Sequence, residues 1–545
     1  MNEQEVPTGN IRIESKDWLF NAGLIGLYRI LKNAGKDVSF KENYLEFAIS
    51  CFAGFDDLYF SYFIDTYSRY GPWQKLVEYY RANFDPESKG EPDEEKIKEF
   101  IKVFEKDIDK ASYRSAYAIV AGDEDYMRTR LKEIKDKALP AAEKLVRIRD
   151  IYDFYQEYQK IIQAKYISYE VINHYWSGKS FLNKQQVKLN MYDIYRQDFS
   201  NPVTGFLQTE SKKNPFASCL VCRRDIPKKG DAEGLSWINM DLDSARKTSI
   251  YWNHNSDILV CPPCRLVYSC VPAGFTTYKG RGIFINDNSG IDRLIQMNNL
   301  LVSRLGDIEN ARTLENLTYT QIITMIRQMR EQHLKREIDN IQVIKYDNNK
   351  KAYSFNLLSK QVLKVIGDAQ KELDTLSGLY DVFIDKKNKI NLYEEVIDHI
   401  YRNIDLYPLV YTLLGLSLQK KGKHGFAGLI FKINMKFIGG VMSEKKINVM
   451  KFMGLKLKKG YQDEQNKIPG IAYRLLNNLK TKNINGFMDV VINCHMHIGL
   501  EVPTLFIECI DNVEQFQAYG YAFLIGFMGQ EYVPGAKTET QGEGN

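Results

Sequence analysis

The segment "ASCLVCRRDIP" (residues 217–227) sets Cys219 and Cys222 two residues apart, and "LVCPPCRLVY" (residues 259–268) repeats the spacing at Cys261 and Cys264. A two-residue spacer lets two thiolates on a tight turn point at one ion, and two such knuckles complete a tetrahedron of sulfur donors. Four thiolates suit Zn(II) and leave no open coordination position, so the site reads as a structural staple. An iron–sulfur cluster uses the same donors and is the alternative occupant. The gap between the knuckles is longer than in a compact zinc ribbon, which implies a small subdomain inserted between them. His254 and Cys270 are near enough in sequence to replace a ligand. The remaining cysteines, Cys51, Cys494 and Cys509 as well as Cys270, sit in apolar surroundings and read as buried thiols in a reducing compartment.

Outward from the knuckles the chain changes character. Residues 201–290 concentrate Pro and Gly in "FSNPVTGF", "IPKKGDAEG" and "VPAGFTTYKGRG", with "DILV" and "GIFIN" as short strands. The expectation there is a loop-rich α+β zinc-binding lobe. Residues 1–200 are expected to be mostly helical. "SKDWLFNAGLIGLYRILKNAG" (15–35) is a buried helix with Ser15 or Asp17 as N-cap and Gly35 as stop. Ile97, Phe100, Ile101, Phe104 and Ile108 share one helical face, as do Leu145, Ile148, Ile151, Tyr155, Tyr158 and Ile162. Between these helices "DPESKGEPDEE" reads as an exposed connection. Residues 291–360 are expected to hold connecting helices, including "LTYTQIITMIRQMREQHLKREI" (317–338), and short strands; "YDVFID" (380–385) is at most a strand or two. Residues 361–530 read as a C-terminal helical bundle, and 531–545 as a polar, Gly-rich disordered tail. The fold class is therefore mainly α with a smaller α+β zinc-binding lobe and a C-terminal bundle.

An apolar fraction of 44% with 26% charged residues is that of a folded globular chain and argues against collagen-like or wholly disordered classes. No apolar run approaches a bilayer span, and the N-terminus lacks a secretory pattern, so a cytoplasmic location without membrane partners is expected. The net charge of +5 is mild but unevenly spread. Between Gln419 and Gly460 stand Lys420, Lys421, Lys423, Lys432, Lys436, Lys445, Lys446, Lys451, Lys456, Lys458 and Lys459, with Glu444 as the one acid. This run reads as a nucleic-acid backbone contact in preference to a solvated face or a membrane-surface helix. Arg223, Arg224, Lys228, Lys229, Lys247, Arg265, Lys279 and Arg281 cluster in or beside the knuckles, where they are either phosphate contacts or ordinary solvated side chains.

Several chemistries are absent from the sequence. "NHYWSGKSFLNK" (173–184) ends in a Gly-Lys-Ser, but Asn173 stands where a phosphate loop needs its first glycine, and a helix-like run precedes it. In "NCHMHIG" (493–499), adjacent helical positions send Cys494, His495 and His497 in different directions. No His-Asp dipeptide, HExxH, GxSxG or dinucleotide fingerprint occurs, so no catalytic centre is visible and a non-enzymatic role is expected.

Taken in order, "WLFNAGLIGLYRIL" (18–31), "NHYWSGKSFLN" (173–183), "CLVC" (219–222), "CPPC" (261–264) and "FQAYGYAFLIGFMG" (516–529) resemble the large subunit of type I-B CRISPR Cascade effector complexes, in its zinc-knuckle subgroup. The resemblance implies a non-catalytic subunit of an RNA-guided DNA surveillance complex. Its partners would be guide RNA and target DNA, Cascade backbone and small subunits, and a separate helicase-nuclease. Its tasks would be recognition of the protospacer-adjacent motif, duplex opening and R-loop stabilisation, with the bundle acting as a small-subunit equivalent. It further implies Cys219, Cys222, Cys261 and Cys264 as ligands of structural Zn(II). Arg223, Arg224, Asn253, Lys279 and Arg281 are candidate nucleic-acid contacts by charge and position. Lys420, Lys421, Lys423, Lys445, Lys446, Lys456, Lys458 and Lys459 are the candidates in the bundle. A stand-alone zinc-containing DNA-binding regulator, and then a metal-dependent nuclease, are the rival readings.

Overall fold

The computed structural model describes residues 9–41, 43–84, 94–209, 214–239, 259–278, 280–288, 290–303, 341–348, 351–358, 360–379, 382–383, 389–419, 426–439 and 443–529. The connection at 85–93, the helix expected over 317–338 and the tail from 531 lie outside them. The chain divides into two compact units, residues 1–307 with 341–355 and residues 308–340 with 356–545.

In the first unit, strand β1 (Asn10–Glu14) alternates, with Ile11 and Ile13 buried and Asn10, Arg12 and Glu14 exposed or nearly so. It pairs antiparallel with β3 (Tyr44–Ala48), which also pairs with β2 (Val38–Lys41), giving the order β1-β3-β2. Between β1 and β2 runs α1 (Trp18–Asn33). Of its two N-cap candidates the chain uses Asp17, whose carboxylate accepts from the Leu19 and Phe20 amides at 2.9 and 3.2 Å. Such a cap is worth about 1 kcal/mol. Gly35, at φ +65°, takes the left-handed conformation just after the helix ends. As its apolar composition requires, α1 is buried on nearly every side, including Leu24, Ile25, Leu27, Ile30 and Leu31.

A helical layer follows: α2 (Phe55–Tyr67), α3 (Pro72–Phe84), α4 (Glu94–Ile108), α5 (Ala111–Val120), α6 (Tyr126–Ile134) and α7 (Ala141–Glu170). Its core centres on Trp73, which stacks on Tyr155 at 4.5 Å, with Phe100, Tyr113, Ile148 and Ile151 packed around them. Ile97, Phe100 and Ile108, then Ile148, Ile151, Tyr155 and Ile162, are buried as their helical spacing predicts.

Next come α8 (Met191–Tyr195), α9 (Asn201–Gln208), the ladder of β4 (Ala217–Ser218) and β5 (Asp225–Ile226), α10 (Pro262–Ser269) and α11 (Val271–Gly274). A four-stranded sheet closes the unit in the order β6 (Thr276–Tyr278), β7 (Arg281–Asn286), β8 (Ile341–Asp347), β9 (Ala352–Leu358), with α12 (Ile291–Ser303) between β7 and β8. "GIFIN" is thus a strand, and of "DILV" the described part forms only a bridge from Val260 to Glu233.

The α10–α11 pair lies directly on α1. A Cβ on Gly26 would fall 1.9 Å from the Cys270 carbonyl oxygen, so only glycine allows this main-chain contact. The crossing is tied by Arg29, whose Nη1 donates to the Ala273 and Gly274 carbonyls at 2.8 Å each. Ser269 ties α10 to other parts of the unit: its carbonyl accepts from Tyr59 Oη of α2 at 3.0 Å and from Trp176 Nε1 at 3.2 Å.

Among the described residues the second unit is a helical bundle with one two-stranded ladder. Its elements are α13 (Lys360–Asp368), α14 (Gln370–Ser377), β10 (Val382–Phe383), β11 (Lys389–Ile390), α15 (Leu392–Tyr401), α16 (Tyr407–Leu418), α17 (Phe426–Ile438), α18 (Glu444–Gly460), α19 (Ile468–Lys480), α20 (Ile484–Ile498), α21 (Thr504–Glu508) and α22 (Val513–Met528). The α18–α22 crossing repeats the device seen on α1: a Cβ on Gly454 would meet the Phe523 carbonyl oxygen at 1.9 Å. Among the described residues no helix is long and apolar enough to cross a membrane.

Candidate metal centre and basic surfaces

The first knuckle is the turn between β4 and β5, whose register sets Ala217 opposite Ile226 and Ser218 opposite Asp225. Cys219 N–H donates to the Arg224 carbonyl at 2.8 Å, and Arg223 N–H donates to the Cys219 carbonyl at 3.0 Å. Both cysteines are thereby held on one side of the turn. The second knuckle is the start of α10. Cys261 is its N-cap, and Pro262 and Pro263 fill the first helical positions, where a missing N–H costs nothing. Cys264 then falls in the first turn, at the helix end that favours negative charge. Leu220 N–H donates to the Leu259 carbonyl at 3.0 Å and joins the two knuckles.

The four sulfurs lie within 4.8 Å of one another. Cys222 Sγ is 3.5 Å from Cys261 Sγ, and Cys261 N–H donates to Cys219 Sγ at 3.4 Å. A tetrahedral ion with metal–sulfur bonds of about 2.3 Å needs sulfur–sulfur edges of about 3.8 Å. The donor set fits such an ion. Cys219, Cys261 and Cys264 are buried, and Cys222 is half-buried. Hydrogen bonds from Cys222, Cys261 and Cys264 pull the Cys219 thiol down, whereas hydrogen bonding to Cys219, Cys222 and Cys261 pushes Cys264 up. The cluster on its own can share protons but not lose them all; a divalent cation in their place lets every thiol ionise. Cys270 is buried under Tyr195 and Ser269, outside the cluster, and His254 lies outside the described residues.

A half-buried ion cluster supports the second knuckle. Glu233, whose backbone pairs with Val260, receives both Arg265 and Lys179 on its carboxylate, and Arg265 also donates to the Asp198 carbonyl at 2.9 Å. Arg265 is therefore a structural cation rather than a phosphate contact. The lysine of the Gly-Lys-Ser is spent in the same place, and Gly178 at φ +70° leads into a short 3-10 turn at Ser180.

The other basic candidates are dispersed. Arg223 is exposed; Arg224 is half-buried and donates to the Arg12 carbonyl at 3.2 Å; Arg281 is half-buried on β7, opposite Asp347. Asn253, Lys247 and Lys279 lie outside the described residues, as do Lys420, Lys421 and Lys423. In the bundle, Lys436 pairs with Glu372 at 2.7 Å and Lys446 with Glu508 at 3.1 Å. Lys458 donates to the Met528 carbonyl at 3.4 Å, and Lys451 is buried, its ammonium 6.0 Å from the Phe431 ring. Lys445, Lys456 and Lys459 share the outer face of α18 with Phe452, which is 60% exposed, so among the described residues this face keeps the predicted basic character. His495 is buried with its ring on the Val491 carbonyl, and His497 meets Glu464; the two diverge as their spacing requires.

One feature escapes the sequence reading. A cleft of about 370 Å³ opens beside the knuckles, lined by Arg12, Lys16, Tyr44, Cys222, Arg224 and Pro263 among others. Its signal was the strict alternation of Asn10–Glu14, which marks a strand able to aim Arg12 outward.

The chain is thus a mainly helical protein in which two knuckles form one four-thiolate, metal-competent cluster. Residues 211–276 match the sequence model of a family described as CRISPR-associated protein (Cas_CXXC_CXXC). That match covers both knuckles and supports a CRISPR-associated protein. No curated protein and no solved structure matches the chain.

Proposed function

We infer that this chain is the large, non-catalytic subunit of an RNA-guided antiviral DNA surveillance complex of the type I-B Cascade kind. The observation that carries the reading is the convergence of both CxxC pairs into one cluster inside the segment that matches a CRISPR-associated family. In this reading Cys219, Cys222, Cys261 and Cys264 hold Zn(II). Bound there, the ion fixes the two knuckles, and its closed coordination leaves no position for an activated water. Guide pairing supplies sequence specificity, while the protein contributes shape, charge and a short base-edge reading of the protospacer-adjacent motif. The knuckle lobe and the lysine face of α18 are the surfaces for duplex and displaced-strand contact. A separate helicase-nuclease supplies the cleavage.

The test is to recover the protein from its native host at low salt, sequence the nucleic acid that comes with it and identify the co-purifying proteins. Short RNAs with a common repeat-derived 5′ handle, together with backbone subunits, are the expected result. Protein free of RNA, or holding duplex DNA alone, would instead fit a stand-alone DNA-binding regulator.

A further inference from the structure

Arg223 occupies a backbone conformation that burdens an arginine and suits a glycine. Its φ is +62°, in the left-handed region where a Cβ crowds the main chain. The knuckle imposes this geometry, because the Arg223 amide must reach the Cys219 carbonyl while the Arg224 carbonyl receives the Cys219 amide. Nothing inside the fold repays the arginine. The residue is exposed, and its guanidinium makes no ion pair or side-chain hydrogen bond among the described residues. Its two chain neighbours, Cys222 and Arg224, line the cleft described above. The other cations there are already engaged: Arg12 with Glu46 at 3.3 Å, Lys16 with Glu14 at 2.6 Å, and Arg224 with the Arg12 carbonyl.

We propose that Arg223 is a contact residue for a nucleic-acid phosphodiester, presented by the metal knuckle at the mouth of the Arg12–Lys16–Arg224 cleft. The inference rests on the reading that this chain handles nucleic acid. A guanidinium meets a phosphate through two parallel N–H donors, and a rigid turn at its root reduces the freedom lost on contact. The strain at residue 223 is the cost of placing that fork on the turn.

The experiment compares full-length, metal-loaded wild type with Arg223→Gly and Arg223→Asn, two residues that accept a positive φ. Binding of labelled duplex DNA and of single-stranded RNA of equal length is followed by anisotropy across a salt series, with melting and metal content measured in parallel. Arg223→Gly is expected to keep its metal and to melt at the same temperature as wild type or about 2 °C higher. Both variants are expected to bind one probe about 3- to 10-fold more weakly, with the log–log salt slope reduced by about 0.9 if that probe is the duplex and by about 0.7 if it is the single strand. The probe that loses affinity identifies the strand type. Wild-type affinity and slope in both variants, with wild type binding normally, would overturn the role of Arg223 alone. A lower melting temperature in Arg223→Gly would do the same by making Arg223 a structural residue. Wild type that binds neither probe would overturn the nucleic-acid reading as well.

Discussion

The cysteines and the lysines of this chain make opposite journeys from sequence to space. Four cysteines spread over residues 219–264 converge on one point, whereas the described lysines of residues 432–459 include an exposed face, two ion pairs and a buried stem. The difference lies in what fixes each group. A cysteine sulfur is placed by a single side-chain torsion, so a tight turn and a helix start largely determine where it points. Lysines on a helix are turned by about 100° per residue, so density along the chain becomes dispersion around an axis. Lys445, Lys456 and Lys459 stay together because their spacing returns them to one side of α18.

The comparison breaks most sharply at the metal. Cys261→Ser should release the ion, measured by native mass spectrometry, and lower the stability of the first unit by on the order of 4 kcal/mol. Unchanged metal content and unchanged melting would remove the structural role. The glycine crossings give the next largest effect. Gly26→Val and Gly454→Val should each cost about 3 kcal/mol, because the contact atom is a main-chain oxygen that cannot yield. Calorimetry resolving two transitions should show the first variant affecting only the unit with the cysteines and the second only the bundle.

Lysine itself provides the third contrast. Lys165 on α7 is fully buried, its Nζ without a partner among the described residues, and burial holds its pKa down at about 8. The unfolded chain keeps the ordinary value near 10.4. Below pH 8 both states are charged and the native state bears the full cost. Between these values the unfolded state holds more protons and stability rises with pH; above them the cost is gone. Lys165→Met should therefore stabilise the protein by about 2 kcal/mol at pH 7, a gain that fades as pH rises from 8 past 10.4 in urea titrations. The smallest effect belongs to the surface. Replacing Lys445, Lys456 and Lys459 with alanine should leave stability within about 0.5 kcal/mol while weakening low-salt binding of single-stranded nucleic acid.

Much of the fold was legible because its signals are local. Asp17 before an apolar run, Gly35 after it, and the helical spacing from Ile97 to Ile108 each act within a few residues. The cysteine set was legible because a spacing repeated twice is a geometric statement. What was not legible depends on partners far away in the chain. Nothing near Lys179 or Arg265 announces that both will share Glu233, since 54 and 32 residues separate them from it. The N-terminal sheet was missed for another reason: strands of four or five residues offer only two or three alternations, and the long apolar helix beside them dominates any window.

The glycine contact between α1 and the α10–α11 pair, which begins at Cys261, bears on cooperativity. Main chain rests on main chain there, with Arg29 bridging to the Ala273 and Gly274 carbonyls, so neither helix can open without stripping the other of buried hydrogen bonds. Amide protons deep in α1, far along the chain from any cysteine, should therefore exchange with solvent on the schedule set by metal release. Protection of Leu24 and Ile25 becomes a remote gauge of whether the knuckles are loaded.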